Sequence, residues 1–498
     1  MAWFLAPNDY GLYAIALGIT TFTTVMRGGG TGVVFQTLKL DEFGTIGGGL
    51  VRVAFACGLL GTIFTLAMVL PAPYLYPQDS TKGLGWLLFW IALEFVRFNI
   101  TTYPRAKVLS RLMFKHIAAM DTASALMKFG SAYYFAANGY GALSFILSQF
   151  VSGIVVFLWS LTVAGMQWSD FKASPQWLPE TYAMLKIPFA MALITSLGSQ
   201  SDLFFFSFFI PVGALGVYLF TNQIAVQPVQ MLSGTLQSVL APYASHVRGD
   251  LQRENNSVRQ TFFTGVIFVP LFIMGIAAVY PNLAHLFFAD KWNESILPVQ
   301  FACVFLIFPT VQTLLEAPLM GARRWNITLE LFIGRMIGKL VGAILGLSII
   351  LTAKLIQPIP EEYYALTLVI CVGLTSSLIA FYQIRKVSKQ IQISPDTFRY
   401  EIYSTPLYAV LAAIATAGLA SSIIDLIDVP STSLRTKALI EFLISSLMYG
   451  GVCCVLLRFG YTDNLHNLLQ LLPRYLRQFI YNAFALKPKS RSSFQADK

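Results

Sequence analysis

The stretch LGSQSDLFFFSFFIPVGALGVYLFTNQIA, Leu197 to Ala225, decides the fold. An apolar run carrying one acid, Asp202, stops at a Pro-Val-Gly turn (Pro211 to Gly213), and a second apolar run begins through Gly216-Val217-Tyr218. The same start occurs near the beginning of the chain as Gly11-Leu12-Tyr13, 205 residues earlier. A second echo lies downstream of each copy: Leu75-Tyr76-Pro77-Gln78-Asp79 and Leu286-Phe287-Phe288-Ala289-Asp290, offset by 211 residues. Two offsets of similar size describe two related halves laid head to tail, a plan common in transporters.

Composition places these runs in a bilayer. Hydrophobic residues make up 56% of the chain and charged residues 12%, with a mean hydropathy of +0.65, against roughly 25% charged for a soluble domain. The net charge of +10 does not describe a nucleic-acid binder, because the basic residues are scattered among the spans instead of gathered on one face or motif. Cys57, Cys303, Cys371, Cys453 and Cys454 all fall inside apolar runs without metal-ligand spacing, so no disulfide, metal or cofactor is expected. Gly28-Gly29-Gly30 and Gly47-Gly48-Gly49 lack the Lys-Ser/Thr that a phosphate loop requires. Met1 to Pro7 shows neither a basic leader nor a cleavage pattern.

A crossing needs about 20 apolar residues. Read at that length, the sequence predicts thirteen spans near 10–26, 48–70, 84–103, 116–137, 141–163, 185–208, 214–240, 260–282, 296–320, 328–352, 363–383, 404–424 and 438–457. Alternate connections then hold 24 Lys/Arg on one side, the tail included, against 5 on the other. By the positive-inside rule the C-terminus is cytoplasmic and Met1 outside. A full span precedes Gly216-Val217-Tyr218, whereas only MAWFLAPNDY precedes Gly11-Leu12-Tyr13, so a first helix is expected to be missing from a plan of fourteen.

The expected fold class is therefore all-α: a polytopic membrane protein of two pseudo-symmetric helical lobes. Residues 1–163 form an N-terminal transmembrane lobe, 164–184 a cytoplasmic linker and 185–383 a C-terminal lobe. Residues 384–457 add two more transmembrane helices, and 458–498 supply an interfacial helix with a basic cytoplasmic tail, for which a plain linker is an equal reading.

The N-terminal pattern of Ala2, Leu5, Pro7, Asp9, Tyr10, Gly11, Leu12, Tyr13 and Ala14 resembles bacterial oligosaccharide flippases, the polysaccharide transporters of the multidrug/oligosaccharidyl-lipid/polysaccharide exporter superfamily. The likeness continues through Asp202, Gly213 to Tyr218, Ala241-Pro242-Tyr243-Ala244-Ser245 and Phe287 to Trp292, and Trp3 and Ala6 depart from the usual arginine and glycine. The resemblance implies a two-lobed carrier of the bacterial cytoplasmic membrane, not an enzyme. Such a carrier moves a polyprenyl-pyrophosphate oligosaccharide to the outer leaflet for capsule, exopolysaccharide or O-antigen synthesis. Its expected partners are that lipid-linked oligosaccharide and membrane lipids, with polysaccharide polymerase and export machinery left open and no nucleic acid. A cation-coupled multidrug exporter of the same architecture is the rival reading, followed by a membrane-embedded polymerase or acyltransferase.

The ionisable residues inside the spans include Arg52, Glu94, Arg97, Asp121, Lys128, Asp202, Glu316, Glu330, Arg335 and Lys339. Each costs about 2.5–3.5 kcal/mol at mid-span unless it meets a partner or water. Mutual pairing is one reading, with Glu94 and Arg97 at i,i+3 and Asp121 and Lys128 at i,i+7. The other is a cavity in which Arg97, Lys128, Arg335 and Lys339, with Arg52, receive a pyrophosphate or acidic sugar. Asp202 either binds a driving cation, caps the turn before Pro211, or pairs with a cation of the other half. Gln223, Gln227 and Gln230 make a polar ladder suited to sugar hydroxyls or to interhelical hydrogen bonds.

Overall fold

The computed structural model describes residues 3–26, 29–37, 43–76, 83–111, 113–165, 177–246, 249–288, 291–356, 360–391, 402–416 and 434–459. Among these the regular structure is helical throughout. The helices are α1 (Pro7–Ile19), α2 (Thr21–Thr24), α3 (Thr31–Thr37), α4 (Phe43–Val69), α5 (Ala72–Leu75), α6 (Leu84–Ser110), α7 (Phe114–Ala137) and α8 (Leu143–Ala164). They continue with α9 (Trp177–Phe209), α10 (Val212–His246), α11 (Leu251–Phe288), α12 (Ile296–Gly321), α13 (Trp325–Ile356), α14 (Glu362–Gln390), α15 (Ile402–Thr416) and α16 (Leu434–Phe459). Eight helices among the described residues are long and apolar enough to cross a membrane. With backbone polar groups paired inside each helix, this is a polytopic membrane fold.

The two halves repeat one packing order. In the first, α4 lies on α6, α6 on α8, and α8 on α7; in the second, α11 lies on α12, α12 on α14, and α14 on α13. Helices α1 and α10, which start at the two Gly-x-Tyr sequences, pack on each other between the halves. The contact is reciprocal: a Cβ on Gly11 would lie 2.0 Å from Val212 O, and one on Gly216 would lie 1.9 Å from Pro7 O. Only glycine lets two backbones approach this closely. Both partners obey the 205-residue offset, so the repeat in the sequence is a physical two-fold seam.

Local chemistry explains where these helices begin and break. Pro7 takes the first helical position of α1, and the Asp9 carboxylate accepts the Ala6 N–H at 2.8 Å. The span expected over 10–26 divides at Thr20, whose hydroxyl donates to Ala16 O at 2.9 Å, while Thr21 donates to Gln200 O of α9 at 3.2 Å. Such back-bonding bends helices. The seam is walled by aromatics of both halves: Tyr10 meets Phe145, Phe220 and Trp292 edge-on, and Trp292 stacks on Phe220 at 3.9 Å. Trp292 is almost wholly buried, which accounts for the aromatic motif ending there.

Helix α9 begins at Trp177, ahead of the span expected to start at 185, and runs along the boundary between the halves. Its Phe204 backbone meets Gly18 of α1, Pro188 meets Gly30, and Trp177 meets Gly49 of α4. It also covers α13. No described helix covers the related α7 in that way, and Leu126, Phe129, Tyr133 and Tyr134 on α7 stay exposed. Helix α16 packs on α11, where Tyr449 donates to Leu271 O at 2.8 Å and Asn282 to Ser445 Oγ at 2.8 Å. Most of the expected linker, part of the 404–424 span, and the interfacial helix and basic tail after Phe459 lie outside the described residues.

Inside the second half, Gln312 of α12 donates to Leu331 O at 2.8 Å and Gln383 Oε1 at 2.9 Å, and Gln383 of α14 donates to Glu330 O at 2.6 Å. This buried relay ties three helices together. Gln312→Leu is expected to lower stability by about 1 kcal/mol, read as a fall in the thermal unfolding midpoint in detergent.

Candidate functional site

Between the halves lies a cavity of about 960 Å³. Its polar lining includes residues of α6 (Glu94, Arg97, Arg105), α7 (Ser124, Lys128), α8 (Gln149, Ser152), α9 (Thr195, Ser196), α12 (Thr313, Glu316) and α13 (Arg335). Four cations against two acids face it among the described residues, so its lining carries a positive surplus.

The three arginines are held in place. Arg97 grips Glu94 with Nε at 2.6 Å and with Nη2 as well, one turn away on the same helix. A Cβ on Gly153 of α8 would lie 1.8 Å from Arg97 Nη1, so the absent side chain at 153 is the space the guanidinium fills. Arg335 donates Nη2 to both oxygens of Glu316, at 2.8 and 2.9 Å, and Nη1 to Thr313 Oγ1 at 3.2 Å, with its guanidinium 4.8 Å from the Phe332 ring centroid. Glu316 is only 2% exposed; a carboxylate so buried needs this partner, since an unpaired buried charge is strongly destabilising. At the rim, Arg105 Nη2 donates to Asp121 Oδ1 at 2.9 Å. Asp121 thus pairs across helices with Arg105, a different partner from the Lys128 its spacing offered, and Glu330 pairs with Lys386 of α14.

A smaller cavity of about 300 Å³ lies within the second half, lined by Ser199, Tyr218, Asn222, Gln230, Arg335 and Lys339 among others. Arg335 borders both cavities. Here Tyr218 OH donates to Asp202 Oδ2 at 2.6 Å, and Lys339 Nζ stands 3.8 Å from the same oxygen.

Of the sequence-predicted residues, Arg97, Lys128 and Arg335 meet at the large cavity, and Lys339 and Gln230 meet at the small one with Asp202 behind them. Arg52 is elsewhere, exposed on α4 with its guanidinium 5.5 Å from the Trp177 ring centroid, and Gln223 and Gln227 border neither cavity. Arg105 and Thr313 complete the geometry without being singled out in the sequence; Glu316, one of the acids inside the spans, and Tyr218, of the Gly-x-Tyr start, join them. The position of Arg105 just past the predicted end of a span was the available signal.

The fold and site together define a two-lobed, polytopic membrane protein with an internal, cation-rich chamber. Residues 1–297 match the family described as "Polysaccharide biosynthesis protein", and the chain belongs to that family. Over 283 residues it is 22% identical to the "Lipopolysaccharide biosynthesis protein WzxC" of Escherichia coli (strain K12), a match covering 54% of this chain and 55% of that protein. The chain thus spans about half the length of that curated relative. The solved structure "Lipid II flippase MurJ, inward closed conformation" superposes with a TM-score of 0.60 at 13% identity, covering 91% of this chain and 93% of the other. At that identity the likeness is one of fold.

Proposed function

We propose that this protein is a flippase that carries a lipid-linked oligosaccharide, with an anionic pyrophosphate head, across the bacterial cytoplasmic membrane for polysaccharide assembly. The observation that carries this reading is the cation surplus of the 960 Å³ chamber between two halves that meet at a backbone seam. The chamber reaches Leu109 and Met320, beside the ends of α6 and α12 where Arg111, Lys115, Arg323 and Arg324 follow. Loops rich in Lys and Arg are cytoplasmic, so the chamber faces the side on which the glycolipid is made and the α1–α10 seam closes the opposite side. A location in the cytoplasmic membrane and a cytoplasmic C-terminus belong to the same reading.

A guanidinium fork suits phosphate oxygens, and an ammonium supplies a mobile point charge. Glu94 and Glu316 hold the forks in position; an arriving pyrophosphate competes for them, and the two halves then rock about the site. No bond is made or broken. A drug exporter on this architecture would not need a surplus of cations around its chamber, which favours the glycolipid.

Arg97→Ala and Lys128→Ala, made singly, are each expected to lower surface polysaccharide about 10- to 100-fold at equal protein level, the loss of one charge-assisted contact of about 1.5–3 kcal/mol. Normal polysaccharide in both variants would remove the head-group reading.

A further inference from the structure

Asp202 is 2% exposed and its two oxygens are treated unequally. Oδ2 accepts from Tyr218 at 2.6 Å and faces Lys339 at 3.8 Å, whereas Oδ1 has no hydrogen-bond donor. The Lys339 ammonium is too far from the carboxylate for a hydrogen bond and donates instead to Ser199 O at 2.9 Å. Two further oxygens of the same turn, Gln200 Oε1 and Ser201 Oγ, are buried without a partner. A buried carboxylate needs a compensating charge, and among the described residues Lys339 is the cation that forms an ion pair with Asp202. Its position is that of a charge balance without liganding geometry. It arrives from α13 on a flexible four-carbon stem, lines the small cavity, and leaves Asp202 Oδ1 unclaimed.

We propose that Lys339 is a tethered counter-ion occupying the place of a dissociable monovalent cation at Asp202. The chain neutralises this carboxylate with its own ammonium, so the native protein has no need of sodium there. Removing the ammonium while keeping the carboxylate converts the position into a site for a small monovalent cation held by oxygen atoms. This role concerns the protein without glycolipid and stands whatever the cargo of the larger chamber.

The test uses the purified full chain in detergent, without glycolipid, and compares sodium chloride with choline chloride at equal ionic strength. The thermal unfolding midpoint of the native protein is expected to be the same in both salts. Lys339→Met should unfold earlier in choline and recover in sodium with a saturable rise of about 1–3 °C. Lys339→Met combined with Asp202→Asn should lose the sodium response and unfold later than the single variant in choline. A sodium response in the native protein equal to that of Lys339→Met, or none in a folded Lys339→Met, overturns the proposal. If Lys339→Met does not fold, the double variant decides: folding restored by Asp202→Asn supports the counter-ion role, and folding not restored shows that Lys339 acts through packing.

Discussion

Arg335→Ala is expected to abolish polysaccharide output and to cost about 3–5 kcal/mol of stability, because it strands a buried charge. Glu316 has a side chain 3% exposed and receives both of its strong hydrogen bonds from this one guanidinium. The transport defect and the folding defect can be separated. Replacing both partners, as Arg335→Met with Glu316→Gln, removes the stranded charge and should return stability to within about 1 kcal/mol of the native protein. Output should stay lost, since the fork that borders both cavities is gone. The paired measurements are thermal unfolding in detergent and surface polysaccharide at matched protein level. Recovery of output along with stability would make the pair purely architectural.

Gly216→Ala is expected to have a comparable effect by a different route. The new Cβ would lie 1.9 Å from Pro7 O, and backbone cannot swing aside as a long side chain can. A normal carbon to oxygen contact is about 3.3 Å, so the seam must part by roughly 1.4 Å. Gly11→Ala does the same against Val212 O. Either change should hold the seam ajar and lower transport at least about 10-fold, the equivalent of 1.4 kcal/mol in the balance of closed and open states. A cysteine pair at Asn8 and Gly213, where Asn8 Oδ1 lies 3.4 Å from the position of a Gly213 Cβ, reports the separation. The pair should cross-link readily in the native background and slowly with Gly216→Ala; equal rates in both would show that the seam absorbs the methyl group.

The repeat was legible in the sequence because the seam is built from backbone contacts, which tolerate only glycine and therefore leave the same short signature in both halves. The predicted spans marked the lipid-crossing part of each helix. They fell short of the helix ends, as at Trp177 and Ser110, because hydropathy reports the hydrocarbon and not the polar turns beyond it. Charge pairing was legible only within a helix. Glu94 and Arg97 are neighbours by periodicity, but the partners of Asp121, Glu316 and Glu330 sit on other helices. Periodicity places Gln223, Gln227 and Gln230 near one another, and the packing of α10 sets Gln230 on the smaller of the two cavities and Gln223 and Gln227 on neither.

The central claim is that the paired arginines of the large chamber receive an anionic glycolipid and pass it across the bilayer. Its most direct test is transfer between leaflets of a polyprenyl-pyrophosphate oligosaccharide in liposomes holding the purified protein, with Arg97→Ala and the stable Arg335→Met with Glu316→Gln alongside. Transfer dependent on the native protein and lost in both variants is the expected result. Transfer absent from the native protein, or undiminished when those charges are removed, would contradict it.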